Sequence, residues 1–172
     1  MESENQVVFF LANKDFRDDE YTAIKDVLGQ FDIGSKIVAV EPGECIGVAG
    51  LLLTVDYTAD EVNVEQFGGI IFVGGTGCEQ FLHDTAVHAL AKSFLDSGKI
   101  VSAICWAPAM LGIAGLLNGK KATVWDGAKD DLIKGGAEYT AERVTVDGKI
   151  ITGDGPDAAT AFGQAVAKAI VG

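Results

Sequence analysis

One cysteine of the sequence follows a buried strand directly. Ile100–Ile104 is a short β-rich run, Cys105 comes next, and Pro108 suits the first turn of a helix. A sharp strand-to-helix turn would project the thiol above the sheet, as in a nucleophile elbow. The helix N-terminus would then favour the thiolate and lower the pKa of Cys105. A free cysteine is equally often a small buried residue, and the local sequence leaves both interpretations open.

Two glycines follow another buried strand. Gly69–Val73 runs into Gly74 and Gly75, whose backbone N–H groups could face a ligand because no side chain lies in the way. Beside an elbow they could form an oxyanion hole, although an ordinary glycine turn is the alternative. The segment is not a dinucleotide-binding loop, since no third glycine follows Gly77 at the required spacing.

Four carboxylates follow the first predicted strand: Asp15, Asp18, Asp19 and Glu20. Most side chains of this kind are solvated and favoured by the helix N-terminus. One of them could instead turn toward the thiol, where its pKa would rise and it could share a proton with the sulfur. The residues alone do not choose among the four.

Short β-rich runs alternate with helical stretches along the chain, which predicts a parallel sheet covered by helices on both faces. Ligands of such folds bind at the carboxyl ends of the strands. The predicted strands are Val7–Ala12, Lys36–Val40, Leu51–Val55, Gly69–Val73, Ile100–Ile104 and Ala122–Trp125, followed by a hairpin of Arg143–Val146 and Lys149–Thr152. The predicted helices are Asp18–Gln30, Asp60–Gln66, Glu79–Ser97, Pro108–Leu117, Asp130–Lys134 and Pro156–Val171.

The composition limits the class of protein. A length of 172 residues, nearly half of them apolar, predicts one domain over residues 1–172. The net charge of −12 argues against nucleic acid and anionic membranes as partners. Three cysteines do not make a disulfide scaffold, and Val7–Ala12 is too short for a signal peptide or a membrane span. We therefore expect a cytoplasmic protein without metal or cofactor.

Several short motifs occur along the chain in an order that one family shares. They are Gly74-Gly75, Ala103-Ile104-Cys105-x-x-Pro108, Ala114-Gly115-Leu116-Leu117-x-Gly119-Lys120-Lys121-Ala122-Thr123, Lys129-Asp130-Asp131 and Val146-Asp147-Gly148-x-Ile150-x-Thr152-x-x-Gly155-Pro156. Over almost its whole length the sequence resembles the ThiJ/PfpI superfamily, which has the class I glutamine amidotransferase-like fold. The resemblance implies a three-layer, flavodoxin-like α/β sandwich with a mostly parallel sheet and a small C-terminal β-hairpin. It also implies a homodimer or a higher homo-oligomer.

The resemblance assigns roles to individual residues. Cys105 falls on the reactive cysteine of the family, and Glu20 on the buried glutamate that hydrogen-bonds its sulfur. The backbone donors at the oxyanion position fall on Gly75 and Trp106, and Gly74 lies in the same pocket.

Two tryptophans replace histidines of the family. Trp106 stands where PfpI-type peptidases have a histidine, and Trp125 where the ThiJ branch has one. An arginine that the ThiJ branch carries before the final Gly-Pro is Asp154 here. Peptide hydrolysis by a cysteine needs a base for the thiol and an acid for the leaving amine, so these changes argue against a peptidase. Two indoles would also make the mouth of the site apolar and narrow, unless Trp125 is a core residue of its strand.

Three further residues carry weaker expectations. Glu79 falls where PfpI-type peptidases have an acidic residue that reaches the site of a neighbouring subunit. Cys78 could form a reversible disulfide with Cys105, although packing is the simpler role for it and for Cys45. Neither His83 nor His88 forms a metal motif with the cysteines.

We predict covalent chemistry of Cys105 on a small carbonyl substrate, glyoxalase- or deglycase-like, with Glu20 moving the proton. One alternative is a non-catalytic, redox-responsive stress protein whose Cys105 oxidises to sulfinic acid. A second is a PfpI-type intracellular peptidase or amidase. A third is a phospho-receiver domain that uses the early acidic cluster and Asp56.

Overall fold

The structure, a computed structural model, describes residues 5–172, so the first four residues of the predicted domain lie outside it. Strands and helices alternate along the chain, as predicted. The strands are β1 Gln6–Phe10, β2 Lys14–Phe16, β3 Gly34–Ala39, β4 Glu44–Gly47, β5 Leu52–Thr54, β6 Tyr57–Thr58, β7 Gly69–Phe72, β8 Ile100–Ile104, β9 Lys121–Ala122, β10 Glu138–Tyr139, β11 Val144–Asp147 and β12 Ile150–Gly153. The α-helices are α1 Asp18–Gln30, α2 Thr85–Asp96, α3 Pro108–Ile113, α4 Lys129–Lys134 and α5 Ala159–Val171.

The central sheet has the strand order β11-β12-β8-β7-β1-β3-β6. Neighbouring strands run parallel except β11 and β12, which are antiparallel. Strands β7 and β8 lie in the middle and are buried along their whole length, as apolar strands covered on both faces must be. This confirms the predicted flavodoxin-like α/β fold with a mostly parallel sheet.

Alternate residues of the central strands point to opposite faces of the sheet. On β1, Val8 and Phe10 join one core with residues of α2 and α3. Their neighbours Val7 and Phe9 join a second core with residues of α1 and α5. Two hydrophobic cores, one on each face, therefore give the three layers that were predicted.

The register of the central strands sets the place of the site. Phe10 of β1 pairs with Phe72 of β7, and Phe72 pairs with Ala103 of β8. The carboxyl ends of these three strands thus lie side by side. Residues that follow them along the chain meet at one edge of the sheet, as expected for parallel strands.

The predicted C-terminal hairpin is confirmed. Strands β11 and β12 are antiparallel, with Asp147 opposite Ile150. Gly148 in the turn has a φ of 60°, a left-handed value that an Asp-Gly hairpin turn requires.

The prediction that Leu51–Val55 is a strand of the central sheet is wrong. The part of this segment that has strand geometry, β5, pairs with β4 in a separate sheet that also contains β2. Leu52 lies opposite Ile46 there, and both side chains are exposed. The edge of the central sheet is formed instead by β6, which pairs with β3. Apolar residues predict a strand, but they do not say which sheet it joins.

The predicted helix Glu79–Ser97 is two separate elements. Thr76–Gln80 forms a 3₁₀ turn directly after β7. Helix α2 begins only after Asp84, whose side chain accepts hydrogen bonds from the backbone N–H groups of Ala86 and Val87. This N-cap fixes the start of α2 several residues later than the apolar spacing predicts.

Other predicted elements differ in length. Ala122–Trp125 has strand geometry only at its first residue, within β9, and Pro108–Leu117 is helical only as α3. Asp60–Gln66 forms 3₁₀ turns rather than an α-helix. None of the helices among residues 5–172 combines the length and apolar character that crossing a bilayer requires.

Candidate active site

Cys105 lies at the predicted sharp turn between β8 and α3. Its φ is 62°, a left-handed value that costs on the order of 1–3 kcal/mol for a residue other than glycine. Two backbone hydrogen bonds hold the turn: Cys105 N–H donates to Gly153 O at 2.9 Å, and Trp125 N–H donates to Cys105 O at 2.8 Å. The strained turn is therefore fixed by β12 on one side and by the segment after β9 on the other.

Glu20 is the carboxylate of the early cluster that turns inward. Its residue is completely buried, and its Oε1 accepts a hydrogen bond from the backbone N–H of Gly74 at 2.9 Å. Its Oε2 is buried without a hydrogen-bond partner among residues 5–172. Burial favours the protonated form of the group, because the charged form has lost its solvation, although the Gly74 N–H and the Cys105 thiol stabilise the carboxylate in part.

The other carboxylates of the cluster have different surroundings. Asp18 accepts backbone hydrogen bonds from Ala49 and Leu51, both at 2.8 Å, so it holds the loop between β4 and β5. Asp19 is exposed and forms an ion pair with Arg17. Helical spacing does not separate these roles, because the partners of Asp18 and Glu20 are far away along the chain.

Two glycines after β7 allow the thiol and the carboxyl group to approach each other. A Cβ on Gly74 would overlap the Cβ of Cys105 and lie 2.6 Å from Glu20 Oε1. Gly75 has a φ of 116°, and a Cβ there would lie 2.5 Å from a backbone oxygen of β2. The carbonyl of Gly74 also accepts a hydrogen bond from the backbone N–H of Arg17 at 2.9 Å. The end of β7 is therefore tied to the start of α1 at a distance that larger residues would prevent.

The carboxyl group and the thiol shift each other's pKa. Burial raises the pKa of Glu20 to about 7, although the hydrogen bond from Gly74 acts in the opposite direction. Burial raises the pKa of Cys105 to about 12, and the charge of Glu20 raises it further. The nearby backbone N–H groups of Gly75 and Trp106 act in the opposite direction and lower the pKa of Cys105 in part. The pair therefore holds one shared proton between pH about 7 and about 12.

The predicted lowering of the Cys105 pKa is wrong. Helix α3 is only six residues long, and the partial charge at its start does not outweigh the burial of the sulfur and the nearby carboxylate. Burial and the neighbouring carboxylate, rather than the helix, therefore set the direction in which the pKa of Cys105 is shifted.

The thiol faces a cavity of about 470 Å³. The cavity is lined by Arg17, Gly75, Thr76, Cys105, Trp106, Trp125 and Pro156. The two indole rings meet edge to face, with their centroids 6.2 Å apart and their planes at 67°. Trp125 is 48% exposed, so the alternative that it is a core residue of its strand is wrong. The mouth of the site is largely apolar, as predicted.

Arg17 lines the cavity although no motif predicted it. Its guanidinium donates two hydrogen bonds to Asp19, from Nε to Oδ1 at 2.9 Å and from Nη2 to Oδ2 at 3.1 Å. This pairing raises the pKa of Arg17 and lowers that of Asp19. The pair is exposed and adds little stability, but it fixes the direction of the guanidinium. Its position between β2 and the first acidic turn of α1 is the signal that could have identified it.

The other two cysteines are buried and form no disulfide. The Sγ of Cys78 donates a hydrogen bond to Val73 O at 3.5 Å, and burial raises its pKa well above the ordinary value. Burial also raises the pKa of Cys45, to about 11. Both residues therefore have the environment of packing residues, and Cys78 lacks the exposure that a resolving cysteine needs.

Glu79 and the histidines lie outside the cavity lining. Glu79 is exposed on the 3₁₀ turn after β7, and its role between subunits stays a prediction. His83 is exposed, whereas His88 Nε2 lies 2.8 Å from Leu82 O and anchors α2 to the preceding turn. No histidine side chain therefore lines the site beside Cys105.

Asp56 does not have the position of a phospho-acceptor. Its Oδ2 accepts a hydrogen bond from the backbone N–H of Ile37 at 2.8 Å, and its Oδ1 lies 3.8 Å from Lys36 Nζ. It thus lies beside the middle of β3 rather than at the carboxyl edge of the sheet. Within the described part of the chain, no three side chains of His, Cys, Asp or Glu are grouped as metal ligands would be.

Comparison with known proteins finds a family model and several related proteins that match most of the chain. The sequence model of the DJ-1/PfpI family matches residues 5–169. The chain is 40% identical over 168 residues to an uncharacterized protein of Methanocaldococcus jannaschii, covering 96% of this chain and 82% of the relative. It is 34% identical over 150 residues to Deglycase PfpI of Pyrococcus furiosus, covering 87% and 90%.

Solved structures of similar proteins share the fold. A ThiJ/PfpI domain protein from Brachyspira murdochii superposes with a TM-score of 0.95 at 28% identity, over 97% of this chain and 96% of that one. Oxidized DJ-1 from Toxoplasma gondii superposes with a TM-score of 0.81 at 27% identity, over 96% and 95% of the two chains. These similarities confirm both the predicted fold and the predicted resemblance.

Proposed function

Because the chain belongs to the DJ-1/PfpI family, we propose that it converts small carbonyl compounds through covalent chemistry of Cys105, as a glyoxalase or a deglycase does. The observation that carries the proposal is the buried Glu20 carboxyl group, whose pKa is raised to about 7 beside the thiol. A group that titrates near neutral pH can both accept and return a proton. Relatives named as deglycases support the same class of function.

The first step is the addition of the thiol to an aldehyde. Glu20 accepts the proton of Cys105, and the thiolate forms a bond to the carbonyl carbon. The π electrons of the carbonyl move to its oxygen, which the backbone N–H groups of Gly75 and Trp106 can stabilise. Glu20 then returns the proton to this oxygen, which completes a hemithioacetal. The step needs no oxidant and no cofactor, since one proton circulates within the pair.

The following steps use the same carboxylate. With a 2-oxoaldehyde, Glu20 removes the hydrogen of the former aldehyde carbon as a proton, which gives an enediolate, with the negative charge on the oxygen of the adjacent carbon. Glu20 delivers the proton to the adjacent carbon, and the hydroxyl proton of the former aldehyde carbon passes to the neighbouring oxygen, so the product is a thioester of a 2-hydroxy acid on Cys105. Water then hydrolyses the thioester, which releases the hydroxy acid and restores the thiol. The overall reaction is the addition of one water to the oxoaldehyde.

Peptide hydrolysis is less well supported. It requires an acid that protonates the leaving amine, a role that histidine has in cysteine peptidases. His88 contacts Leu82 O, and His83 is exposed outside the cavity lining. Trp106 and Trp125 line the cavity beside Cys105, and an indole N–H does not transfer its proton near neutral pH.

A redox-responsive function is the second candidate. The buried Oε2 of Glu20 has no hydrogen-bond partner among the described residues, and its proton could be donated to a sulfinate on Cys105. Peroxide that adds two oxygens to Cys105, in a protein that consumes no carbonyl compound, would favour this candidate.

We further propose that the chain is a single domain, that it is located in the cytoplasm and that it forms a homo-oligomer. In this oligomer, Glu79 of one subunit reaches the active site of a neighbouring subunit.

The test of the proposed function is the conversion of methylglyoxal to lactate by purified protein. We expect Cys105→Ser to abolish turnover and Glu20→Gln to lower kcat by about 10²- to 10⁴-fold, the usual contribution of a general acid–base group. Cys45→Ala is the matched control, because Cys45 is buried outside the cavity lining, and it should retain activity. A wild-type protein without turnover, or a Cys105→Ser variant with full turnover, contradicts the proposal.

A further inference from the structure

The cavity has an aromatic wall that the steps above do not use. Trp106 and Trp125 form this wall, with edge-to-face packing at 6.2 Å. Trp125 leaves nearly half of its surface exposed, which is unusual for an indole unless it has a contact to make. A cavity of about 470 Å³ is much larger than a three-carbon aldehyde needs.

The wall has a defined position. The backbone N–H of Trp125 donates to the carbonyl of Cys105 at 2.8 Å, and that of Ala128 donates to the carbonyl of Trp125 at the same distance. The six-membered ring of Trp125 lies directly over Gly127, where a Cβ would overlap it. Gly127 therefore leaves the space that the indole occupies, and it acts as a positioning residue for Trp125.

The charges around the wall offset one another and leave no net positive site for an anion. Arg17 is the cationic residue of the cavity lining, and its Nε and Nη2 donate to the carboxylate of Asp19. Glu20 is buried and close enough to the thiol for its charge to raise the pKa of Cys105, so it repels an anion at the sulfur once it ionises. A neutral, flat group against the indoles avoids this repulsion and gains aromatic contact.

From these observations we infer that the site selects neutral carbonyl compounds that carry an aromatic or similarly flat apolar group, with Trp125 as the residue that determines this specificity. The inference names the substrate class of the proposed function and rests on the reactivity of Cys105. In the bound state, the carbonyl carbon lies at the sulfur and the flat group lies against Trp106 and Trp125.

The experiment measures alkylation of Cys105 by three haloacetyl probes, so that it does not depend on turnover. The probes are iodoacetamide, N-benzyl iodoacetamide and iodoacetate, and each rate is divided by the rate with glutathione. We expect the normalised rate for the benzyl probe to exceed that for iodoacetamide by about tenfold, the size of one aromatic contact with its buried area. We expect iodoacetate to be the slowest of the three.

The variants assign the preference to the wall. Trp125→Ala should bring the benzyl-to-amide ratio close to that of glutathione, and Gly127→Ala should lower it in part because it displaces the indole. Val146→Ala is the matched control, since Val146 is also exposed, at 57%, and lies on the edge strand β11; it should keep the wild-type ratio. Circular dichroism of each variant verifies the fold.

Two outcomes overturn the inference. In the first, the benzyl-to-amide ratio of alkylation rates is the same for wild-type Cys105 as for glutathione. In the second, the ratio is raised in the wild type but Trp125→Ala leaves it unchanged. Selective alkylation without methylglyoxal turnover supports the aromatic preference and contradicts the proposed function. Turnover of methylglyoxal without selective alkylation supports the proposed function and contradicts the aromatic preference. The two failures are therefore distinguishable.

Discussion

Cys105 and Cys78 follow neighbouring strands of one sheet, but their surroundings differ in the features that control reactivity. Cys105 has a left-handed φ of 62° and lines a cavity, and its sulfur lies beside a buried carboxyl group. Cys78 is completely buried, and its thiol donates to Val73 O. The same residue type is thus a candidate nucleophile at the end of β8 and a packing residue after β7.

The difference shows that position on the sheet is insufficient to make a cysteine reactive. Both thiols have a raised pKa, and burial is the main cause for each. What distinguishes Cys105 is a neighbouring carboxyl group, that of Glu20, whose pKa is raised to about 7. A buried thiol with a proton acceptor can ionise by internal transfer, whereas one bonded to a carbonyl oxygen keeps its proton.

The largest expected effect is the selectivity of alkylation among the three cysteines. We expect iodoacetamide to modify Cys105 at least about 10³-fold faster than Cys78 or Cys45, because fully buried side chains react only after the structure opens, at a cost of several kcal/mol. Mass spectrometry of peptides after timed labelling at pH 8 measures each rate. Labelling of Cys78 within tenfold of Cys105 would remove the distinction.

The next effect concerns the close approach of the two strand ends. Gly74→Ala should destabilise the protein by about 3 kcal/mol, since a Cβ would overlap Cys105 and cores resist added volume. In this variant, the rate of Cys105 alkylation should also lose the midpoint near pH 7 that depends on Glu20. Gly155→Ala is the control, because nothing lies within 4 Å of its Cβ position. Urea unfolding of both variants compares them, and equal losses would contradict the geometry.

A third prediction concerns the pH dependence of stability. The pKa of Glu20 is about 7 in the folded protein and about 4.3 in an unfolded chain. The folded state therefore binds more protons between these values, so the stability from this group is complete below pH about 4.3 and is lost as the pH rises through 7. The full loss is about 4 kcal/mol, from a pKa difference of about 2.7 units at about 1.36 kcal/mol each.

Glu20→Gln should remove this dependence. Urea unfolding of wild type and variant at pH 5 and pH 8 should show that the wild type loses its advantage, or becomes the less stable protein, at the higher pH. A difference between the two proteins that is the same at both pH values would mean that Glu20 is ionised throughout.

The smallest effect is at the second cysteine. Cys78→Ala should cost about 1–2 kcal/mol, the usual result of removing one buried heavy atom with its contacts, and it should not move the pH midpoint of Cys105 alkylation. A shifted midpoint would show that Cys78 belongs to the site. Thermal unfolding and alkylation of the same preparation measure both quantities.

Much of the fold could be predicted from local pattern. Asp18–Gln30 and Ile100–Ile104 have their predicted bounds, because helical spacing and a buried apolar run are local signals. Leu51–Val55 was assigned to the wrong sheet, since strand pairing depends on distant residues. The start of α2 was misplaced because the cap at Asp84 lies within a stretch that has continuous helical spacing.

The site was predictable only in part. The sharp turn at Cys105 and the glycines after β7 have local signals, whereas Glu20 was selected from its acidic neighbours by resemblance alone. The raised pKa of Cys105 was missed because burial is a property of the folded chain. Arg17 and Gly127 were missed for a similar reason, since their roles depend on side chains that only the fold brings next to them.

The most direct test of the shared proton is the alkylation rate of Cys105 against pH in wild type and Glu20→Gln. In the wild type we expect the rate to rise through a midpoint near 7, where the pair loses its first proton, and then to level off. In Glu20→Gln we expect that midpoint to disappear and the rate to rise only well above about 8.5, the pKa of an ordinary thiol, because burial still raises the pKa of Cys105. One common midpoint near 8.5 in both proteins would contradict the account, because it would show that Glu20 takes no part in the ionisation of Cys105.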